Sequence, residues 1–337
     1  MSLCKDKHFR DAMNRNFIFC DIGARWGIGE PWKYYRNLID VISFEPDQEE
    51  FAELDQKIEG QDRVLPYALS NEIHKATLNL TKNRGCSSLY EPNHTFLHRF
   101  PDEERFTVEK KEVIDATTLD NLYHQSIIRE LDFLKIDVQG AELNILQGGE
   151  DIINDNILGI QIEVEFKPLY KSQPLFAEID SDIREKFNFE LFDIKKHYWK
   201  YKEGQYIGSN KGQVIFADAL YFRDPYEFQK WCDRFNDKEA NTKIVMACFM
   251  SILYGYHDYA LCLLNQQAVI KRMGIEINNA LKISVRRDAQ CIGSSFKGSG
   301  KIRSLFKLLS KVFEPDQEGW ANGDQHLGSK KKFGIYY

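Results

Sequence analysis

The sequence lacks cysteines at the spacing of a metal site or of a disulfide framework. Its seven cysteines are scattered over 337 residues without a C-x-x-C pair, and their number is odd. This pattern argues against a zinc site and against a disulfide scaffold, so we expect reduced thiols and a cytoplasmic protein. Lys5, Asp6 and His8 stand where an export signal needs an apolar core, which also favours the cytoplasm.

Neither a surplus of basic residues nor a long apolar run is present. The chain has 45 Lys and Arg against 51 Asp and Glu, a net charge of -6. Because no surplus of cations is available to neutralise phosphates, we expect no broad binding to nucleic acid. The longest apolar stretch, around residues 245–256, is too short and too interrupted to span a bilayer.

The most informative segment that is present reads D-I-G-A-R-W-G and begins at Asp21, directly after the apolar run 17–20. Gly23 permits a tight turn where a ligand approaches the backbone. Glu45 lies 24 residues after Asp21, at the end of a second apolar run. This spacing fits a strand, a helix and a second strand whose acidic end accepts hydrogen bonds from ribose hydroxyls. The sequence therefore predicts a site for a nucleoside cofactor.

The glycine spacing distinguishes two classes of cofactor. A dinucleotide site needs G-x-G-x-x-G to bring a pyrophosphate to a helix N-terminus. Here the glycines lie at Gly23, Gly27 and Gly29, which does not match that pattern. The methionine end of S-adenosylmethionine (SAM) carries an ammonium group, which a carboxylate such as Asp21 can bind. We therefore expect SAM, and an NAD-dependent oxidoreductase is the less favoured alternative.

Apolar strand patterns and helical patterns alternate through the first 225 residues. The predicted strands are 17–21, 41–45, 63–69, 131–137, 157–165, 189–194 and 214–222. The last two follow each other without a crossover helix, which predicts an antiparallel hairpin that closes a parallel sheet. The predicted fold class is α/β: a Rossmann-like, doubly wound mixed sheet of seven strands, as is usual for class I methyltransferases, with a C-terminal helical appendage.

A second group of acidic residues follows the central predicted strands. Asp137 ends one strand, and Glu163 and Glu165 lie at the end of the next, at the edge where doubly wound sheets bind ligands. We predict that Asp137 and Glu163 are catalytic, as general base or as ligands of a divalent cation, and a metal requirement stays open. The alternative is that Asp137 caps the next helix and Glu163 pairs with Lys135 or with an arginine. The tetrapeptide D/N-P-P-Y/F/W is associated with methylation of exocyclic or amide nitrogens. It does not occur at this strand end, so we expect oxygen as the methyl acceptor.

Composition predicts the domain organisation. Residues 1–225 form the predicted methyltransferase domain, and 76–119 an insertion of small strands and loops over the site. Residues 226–313 are predicted to be a helical appendage that serves packing, homo-oligomer formation or membrane contact. The Gly, Asp and Lys content of 314–337 predicts a mobile tail.

The segment 301–311 is both basic and amphipathic. Its apolar residues form a stripe at helical spacing, and the other faces carry Lys301, Arg303, Lys307 and Lys311. A helix docked on its own protein is the favoured interpretation, and a helix lying on a membrane surface is the alternative.

Several of these segments, taken in order, resemble the FkbM family of SAM-dependent methyltransferases over roughly residues 15–225. The stretches that carry the resemblance are D-I-G-A-R-W-G at 21–27, F-E-P-D at 44–47, Y-A-L-S at 67–70, S-S-L at 87–89, T-T-L-D at 117–120, K-I-D-V-Q-G-A-E at 135–142, I-E-V at 162–164, P-L-Y at 168–170, Q-P-L-F at 173–176, F-E-L-F-D at 189–193 and F-A-D-A-L-Y-F at 216–222. One departure is Gln139, where many relatives carry Glu.

The resemblance implies a function and a set of binding residues. It implies O-methylation, often of sugar hydroxyls in glycans, lipopolysaccharide or secondary metabolites, with a small-molecule or glycan acceptor. The residues predicted to bind SAM are Asp21, Gly23, Ala24, Arg25, Gly27, Glu45, Pro46, Asp47, Tyr67, Ala68 and Leu69, the last three beside the adenine. A non-catalytic module that binds SAM or a glycan is the alternative to an enzyme.

Overall fold

The structure is a computed structural model that describes residues 7–25, 27–207, 211–290, 299–312, 319–324 and 327–328. Its strands are β1 (Phe17–Ile22), β2 (Ile39–Phe44), β3 (Arg63–Leu65), β4 (Ala68–Leu69), β5 (His74–Thr81), β6 (Val108–Thr117), β7 (Phe133–Ile136), β8 (Gly159–Glu165), β9 (Phe189–Trp199), β10 (Gln213–Arg223) and β11 (Ala321–Gly323). Its α-helices are α1 (Lys7–Met13), α2 (Gln48–Asp55), α3 (His94–Leu97), α4 (Leu119–His124), α5 (Glu142–Gln147), α6 (Glu150–Asn156), α7 (Phe176–Phe187), α8 (Phe228–Cys232), α9 (Asp237–Leu253), α10 (His257–Asn265), α11 (Gln267–Met273), α12 (Ile275–Gln290) and α13 (Ser299–Val312). Short 3-10 helices cover Trp32–Leu38, Arg84–Cys86, Glu103–Phe106 and Lys202–Gly204.

Eight strands form the large sheet in the order β11-β9-β10-β8-β7-β1-β2-β3. The strands from β8 to β3 are parallel, whereas β10, β9 and β11 pair antiparallel. The predicted α/β mixed sheet with a closing hairpin is therefore confirmed. The chain order reverses between β7 and β1, and ligands bind doubly wound sheets at such a reversal.

Two strands differ from the prediction. The single strand expected over 63–69 is wrong: β3 ends at Leu65, and β4 joins a second sheet of three strands, β4-β6-β5. Pro66 lies between them and has no backbone N–H to donate to a ladder. The eighth strand, β11, lies within the tail that we expected to be mobile, and it pairs with β9.

The small sheet lies within the predicted insertion 76–119, apart from β4 and the first two residues of β5. Its strands β5 and β6 pair antiparallel over most of their length. Leu78 and Leu80 of β5 are buried and face the cavity described below, so this sheet supplies one wall of the site.

The C-terminal helical region covers one face of the large sheet. Every residue of α9 from Lys243 to Leu253 is buried, because this helix lies between the sheet and the helices α1, α10 and α11. Phe249 of α9 packs against Phe17 of β1 with ring centroids 5.5 Å apart. The other face of the sheet packs against α4, α5, α6 and α7. The region that we expected to be an appendage thus shares the core of the sheet.

The last helix, α13, is different from α9. Leu305 is 55% exposed and Phe306 is 66% exposed, so the apolar stripe of α13 faces solvent. This exposure does not agree with the favoured interpretation of a docked helix.

Candidate functional site

A cavity of about 530 Å³ lies at the carboxyl edge of the large sheet, beneath the small sheet. This volume is in the range of sites that enclose a cofactor. Both predicted catalytic residues and nine of the predicted binding residues line it: Asp137, Glu163, Gly23, Arg25, Gly27, Glu45, Pro46, Asp47, Tyr67, Ala68 and Leu69. Asp21 and Ala24 lie behind this lining.

Gly23 forms the floor of the cavity in a left-handed conformation with φ +82°. A Cβ at this position would lie 1.9 Å from the carbonyl oxygen of Asp137. The amide of Gly23 donates to the carbonyl of Phe44 over 3.2 Å. The loop after β1 therefore packs tightly between the ends of β2 and β7, and position 23 has no room for a side chain.

Glu45 presents a buried carboxyl to the cavity and is only 4% exposed. Its Oε1 accepts a hydrogen bond of 2.9 Å from the amide of Asp47. Burial raises the pKa of Glu45 to about 7, although the Asp47 amide and the charge of Arg25 oppose the rise. A ligand that donates hydrogen bonds to this carboxylate would favour its ionised form.

Arg25 and Asp47 form an ion pair at one side of the cavity. The Nη2 of Arg25 lies 2.8 Å from Oδ2 of Asp47, and its Nη1 lies 3.1 Å from Oε2 of Glu50. Asp47 also caps α2 by accepting a hydrogen bond from the amide of Glu49. Burial alone would raise the pKa of Asp47, but Arg25 and the helix amides hold it below its ordinary value.

Asp21 is paired with a lysine instead of facing the open cavity. The Nζ of Lys135 lies 2.9 Å from Oδ1 of Asp21, which is 1% exposed. The other oxygen, Oδ2, is buried without a hydrogen-bond partner among the described residues. The interpretation that pairs Lys135 with Glu163 is not what the structure shows. Lys135 itself lines the cavity, as does Asp137, which lies two residues later, directly after the end of β7.

Gln139 joins the two predicted catalytic residues. Its Nε2 donates to Oδ1 of Asp137 over 3.0 Å and to Oε1 of Glu163 over 2.6 Å. Its Oε1 lies 3.1 Å from the hydroxyl of Tyr170, and its carbonyl accepts a hydrogen bond of 2.7 Å from Ser88. The sequence shows Gln139 only as a departure from the family pattern and contains no signal for this bridge.

The two bridged carboxyls differ in their electrostatic surroundings. Burial raises the pKa of Asp137, but the charge of Lys135 and the Gln139 amide oppose the rise. Burial also raises the pKa of Glu163, and the neighbouring carboxyls, Asp137 first, raise it further, well above the ordinary range. The pair therefore holds a proton more readily on Glu163 than on Asp137.

Glu142 stabilises the loop between Asp137 and α5. Its Oε1 accepts hydrogen bonds from the amides of Val138 and Gly140, and its Oε2 also accepts from Gly140. Burial raises the pKa of Glu142 to about 7, against these hydrogen bonds. Its carboxyl therefore caps the loop that positions Gln139.

Several lining residues come from the small sheet and its following turn, where prediction assigned no roles. Leu78, Leu80, Arg84 and Ser88 line the cavity. The stretch S-S-L at 87–89 signalled a family-like segment but not the bond from Ser88 to Gln139, because that contact joins residues 51 positions apart.

The described residues contain no group of three or more His, Cys, Asp or Glu side chains placed to hold a metal ion. Within the same part of the chain, no helix has the length and hydropathy needed to cross a membrane. The five cysteines in the described segments, Cys20, Cys86, Cys232, Cys248 and Cys262, are free thiols.

The chain matches a family model of methyltransferases. The methyltransferase FkbM domain matches residues 21–191, slightly more than half of the chain. No curated protein shows significant sequence similarity to it.

Three solved structures are similar at low sequence identity. The methyltransferase FkbM from Methylobacillus flagellatus KT is 15% identical, over 61% of this chain and 43% of its own, with a TM-score of 0.35. An rRNA methylase from Streptococcus thermophilus is 11% identical, over 65% of this chain and 93% of its own, with a TM-score of 0.30. The 23S rRNA methyltransferase ErmE is 10% identical, over 84% of this chain and 97% of its own, with a TM-score of 0.29. The chain thus spans less than half of the length of the FkbM structure.

Proposed function

Because the chain belongs to the FkbM methyltransferase family, we propose that it transfers a methyl group from SAM to a hydroxyl group of a sugar, in a glycan or polysaccharide precursor or in a secondary metabolite. The observation that carries this proposal is one cavity with two kinds of acidic group. Glu45, Asp137 and Glu163 line this cavity; on our proposal Glu45 accepts hydrogen bonds from the ribose, and the Asp137 and Glu163 pair receives the proton of the acceptor hydroxyl.

The residues of the cavity fit SAM. Gly27 lines the cavity with φ +72°, and among the described residues a Cβ there would meet no atom within 4 Å, chain neighbours aside, which suits the approach of a ligand. Glu45, when ionised, accepts hydrogen bonds from two ribose hydroxyls. Tyr67 and Leu69 give an apolar surface for a purine base.

The chain's own residues prepare a hydroxyl for reaction. When bound, SAM supplies the methyl group that the acceptor oxygen takes up. The carboxylate of Asp137 accepts the proton of the acceptor hydroxyl, a contribution of roughly 10² to 10⁴ in rate. Lys135 favours the ionised form of Asp137, and Gly23 lets the end of β7 approach the loop after β1. These groups also hold the acceptor in a fixed orientation. Much of the rate acceleration comes from this, because the entropy of orienting the reactants is lost on binding and not in the reaction step.

Thermal unfolding with different nucleotides tests the cofactor. SAM at 100 times its dissociation constant stabilises the fold by about 2.7 kcal/mol. We expect Glu45→Ala to lose most of this stabilisation because the ribose acceptor is removed. Glu53→Ala, on the exposed side of α2, is the matched control and keeps it. Stabilisation by NAD but not by SAM would instead identify an oxidoreductase.

Product formation separates an enzyme from a binding module. The protein is incubated with methyl-labelled SAM and a panel of free sugars, nucleotide sugars and glycans, and label in the sugar is measured. Labelled product that depends on Asp137 supports the O-methyltransferase. SAM binding without product across the panel would favour a non-catalytic module.

Two further properties belong to this proposal. Five free thiols in the described segments suit a reducing compartment, so we place the reaction in the cytoplasm. The exposed apolar stripe of α13, on a helix with four basic residues and no acidic one, supports contact with an anionic membrane surface.

A further inference from the structure

The amide of Gln139 is fixed in one orientation between the two carboxyls. Its Nε2 has two hydrogens and faces two acceptors, Oδ1 of Asp137 and Oε1 of Glu163. Its Oε1 faces the hydroxyl of Tyr170, a fully buried residue that also lies 2.9 Å from the carbonyl of Cys86. The reversed amide would place its oxygen against two carboxyl oxygens, so the network selects the donating orientation.

The backbone of Gln139 is anchored as firmly as its side chain. The residue has φ +61°, a left-handed conformation that is uncommon outside glycine. Its carbonyl accepts the hydrogen bond from Ser88, which ties the loop after β7 to the small sheet. Strain of this kind persists where surrounding contacts hold it in place.

Charges around the two carboxyls are distributed unequally. Asp137 has the ammonium of Lys135 as a neighbour on β7, and Lys135 also contacts Asp21. The largest electrostatic influences on Glu163 come from other carboxyls, all of which raise its pKa: Asp137, Glu165, Glu142 and Asp218.

The nearest strand partner of Glu163 is another carboxyl, which has basic neighbours of its own. Asp218 of β10 is paired in register with Glu163. The Nζ of Lys195 and the Nε2 of His197 both lie 3.4 Å from Oδ2 of Asp218. Asp137 and Glu163 accept hydrogen bonds from the same nitrogen of Gln139, and two buried carboxyls this near repel each other when both are ionised, which favours one proton on the pair.

We propose that Gln139 is a positioning residue that divides the roles of the pair, holding Asp137 as the ionised proton acceptor and Glu163 as a protonated hydrogen-bond donor to a second oxygen of the acceptor. The proposal deepens the proposed function and rests on it. A donor and an acceptor bridged by one amide suit an acceptor with two neighbouring oxygens, such as a vicinal diol of a sugar. The reacting hydroxyl gives its proton to Asp137, and Glu163 keeps its own.

Infrared spectroscopy locates the proton without an acceptor substrate. In the difference between wild type and Glu163→Gln at neutral pH, we expect a lost band of a protonated carboxylic acid. The same difference for Asp137→Asn should show a lost carboxylate band instead. Because this measurement needs neither SAM nor turnover, it distinguishes a failure of this inference from a failure of the proposed function. A lost carboxylate band in Glu163→Gln would overturn the inference.

The pH profile of turnover tests the roles, with the sugar that accepts label in the panel. Wild-type activity should fall at alkaline pH, where Glu163 loses its proton, and Glu163→Gln should lose this alkaline limb because its amide does not titrate. We expect a loss of about tenfold for Glu163→Gln against roughly 10² to 10⁴ for Asp137→Asn.

Gln139→Met keeps the length of the side chain but removes its hydrogen-bond donors. It should shift both the acidic limb of the profile, which reports Asp137, and the alkaline limb, which reports Glu163, while SAM still stabilises the protein. Equal losses in Glu163→Gln and Asp137→Asn with unchanged limbs, or a profile of Gln139→Met identical to wild type, would refute the division of roles.

Discussion

On one face of the large sheet, the strands β1 and β7 pass from an apolar environment to a charged one. On β1, Phe17 and Phe19 face the helical layer, and Asp21 follows on the same side of the strand. On β7, Phe133 faces that layer and Lys135 follows. The period of two continues unbroken while the side chains change from aromatic to charged.

The boundary between these environments is a short hydrogen-bonded row. Tyr254, which follows α9, donates to Gln161 of β8 over 2.9 Å and accepts a bond of 3.0 Å from the indole of Trp32. On β7, Phe133 belongs to the apolar core of the helical layer, whereas Lys135 lines the cavity. Burial of apolar side chains stabilises the fold on one side, whereas buried carboxyls on the other side oppose it. The cost of burying these carboxyls agrees with the proposed role of the charged end in chemistry.

The largest expected effect is on the apolar side of this boundary. Phe249 is fully buried and packs against Phe17 and Tyr35. We expect Phe249→Ala to lower the free energy of unfolding by about 3–5 kcal/mol, because it removes burial and leaves a cavity. Denaturant unfolding measures this. Tyr206→Ala is the matched aromatic control, since Tyr206 is 88% exposed. An equally small effect of both changes would show that the helical region is an independent appendage.

The charged side should respond to pH in its affinity for SAM. Burial raises the pKa of Glu45 to about 7, and on the proposed function ribose hydroxyls donate to its ionised form. SAM affinity should therefore rise with pH through about 7, by about tenfold between pH 6 and pH 8.

Titration calorimetry at the two pH values checks this, and Glu45→Gln should bind weakly with no such rise. The stability of the unliganded protein should change in the opposite direction and fall as the pH rises. A raised carboxyl pKa stabilises the fold at low pH, and this contribution disappears as pH rises from the unfolded value of 4.5 through about 7. SAM affinity that falls with rising pH would contradict the ribose role of Glu45.

Prediction from sequence succeeded where the signal is local. The apolar runs and the spacing of Asp21 and Glu45 predict a doubly wound sheet, because strand periodicity and cofactor loops depend on neighbouring residues. The break at Pro66 was also visible in the sequence, since proline interrupts a ladder. We expected one strand there because the apolar residues around it outweighed that signal.

Contacts between distant residues were not predictable in this way. Gln139 contacts Glu163, Tyr170 and Ser88, which come from three other segments of the chain. The integration of α9 into the core is equally nonlocal. Its continuous apolar run fits a buried helix, but a sequence does not say which surface covers it.

The smallest expected effect on stability belongs to α13, where apolar side chains have no cover comparable to that of α9. Leu305 and Phe306 are exposed, so Leu305→Ser with Phe306→Ser should change the free energy of unfolding by no more than about 0.5 kcal/mol.

The same variant should lose binding to vesicles of phosphatidylserine and phosphatidylcholine, because the apolar stripe inserts between the headgroups. Wild-type binding should weaken with added salt and be absent from pure phosphatidylcholine, since the basic residues need an anionic surface. Flotation measures both, and Tyr206→Ala serves as a control with an exposed aromatic elsewhere. A loss of several kcal/mol would show that α13 docks on the protein, and wild-type flotation with neither vesicle would reject the membrane contact.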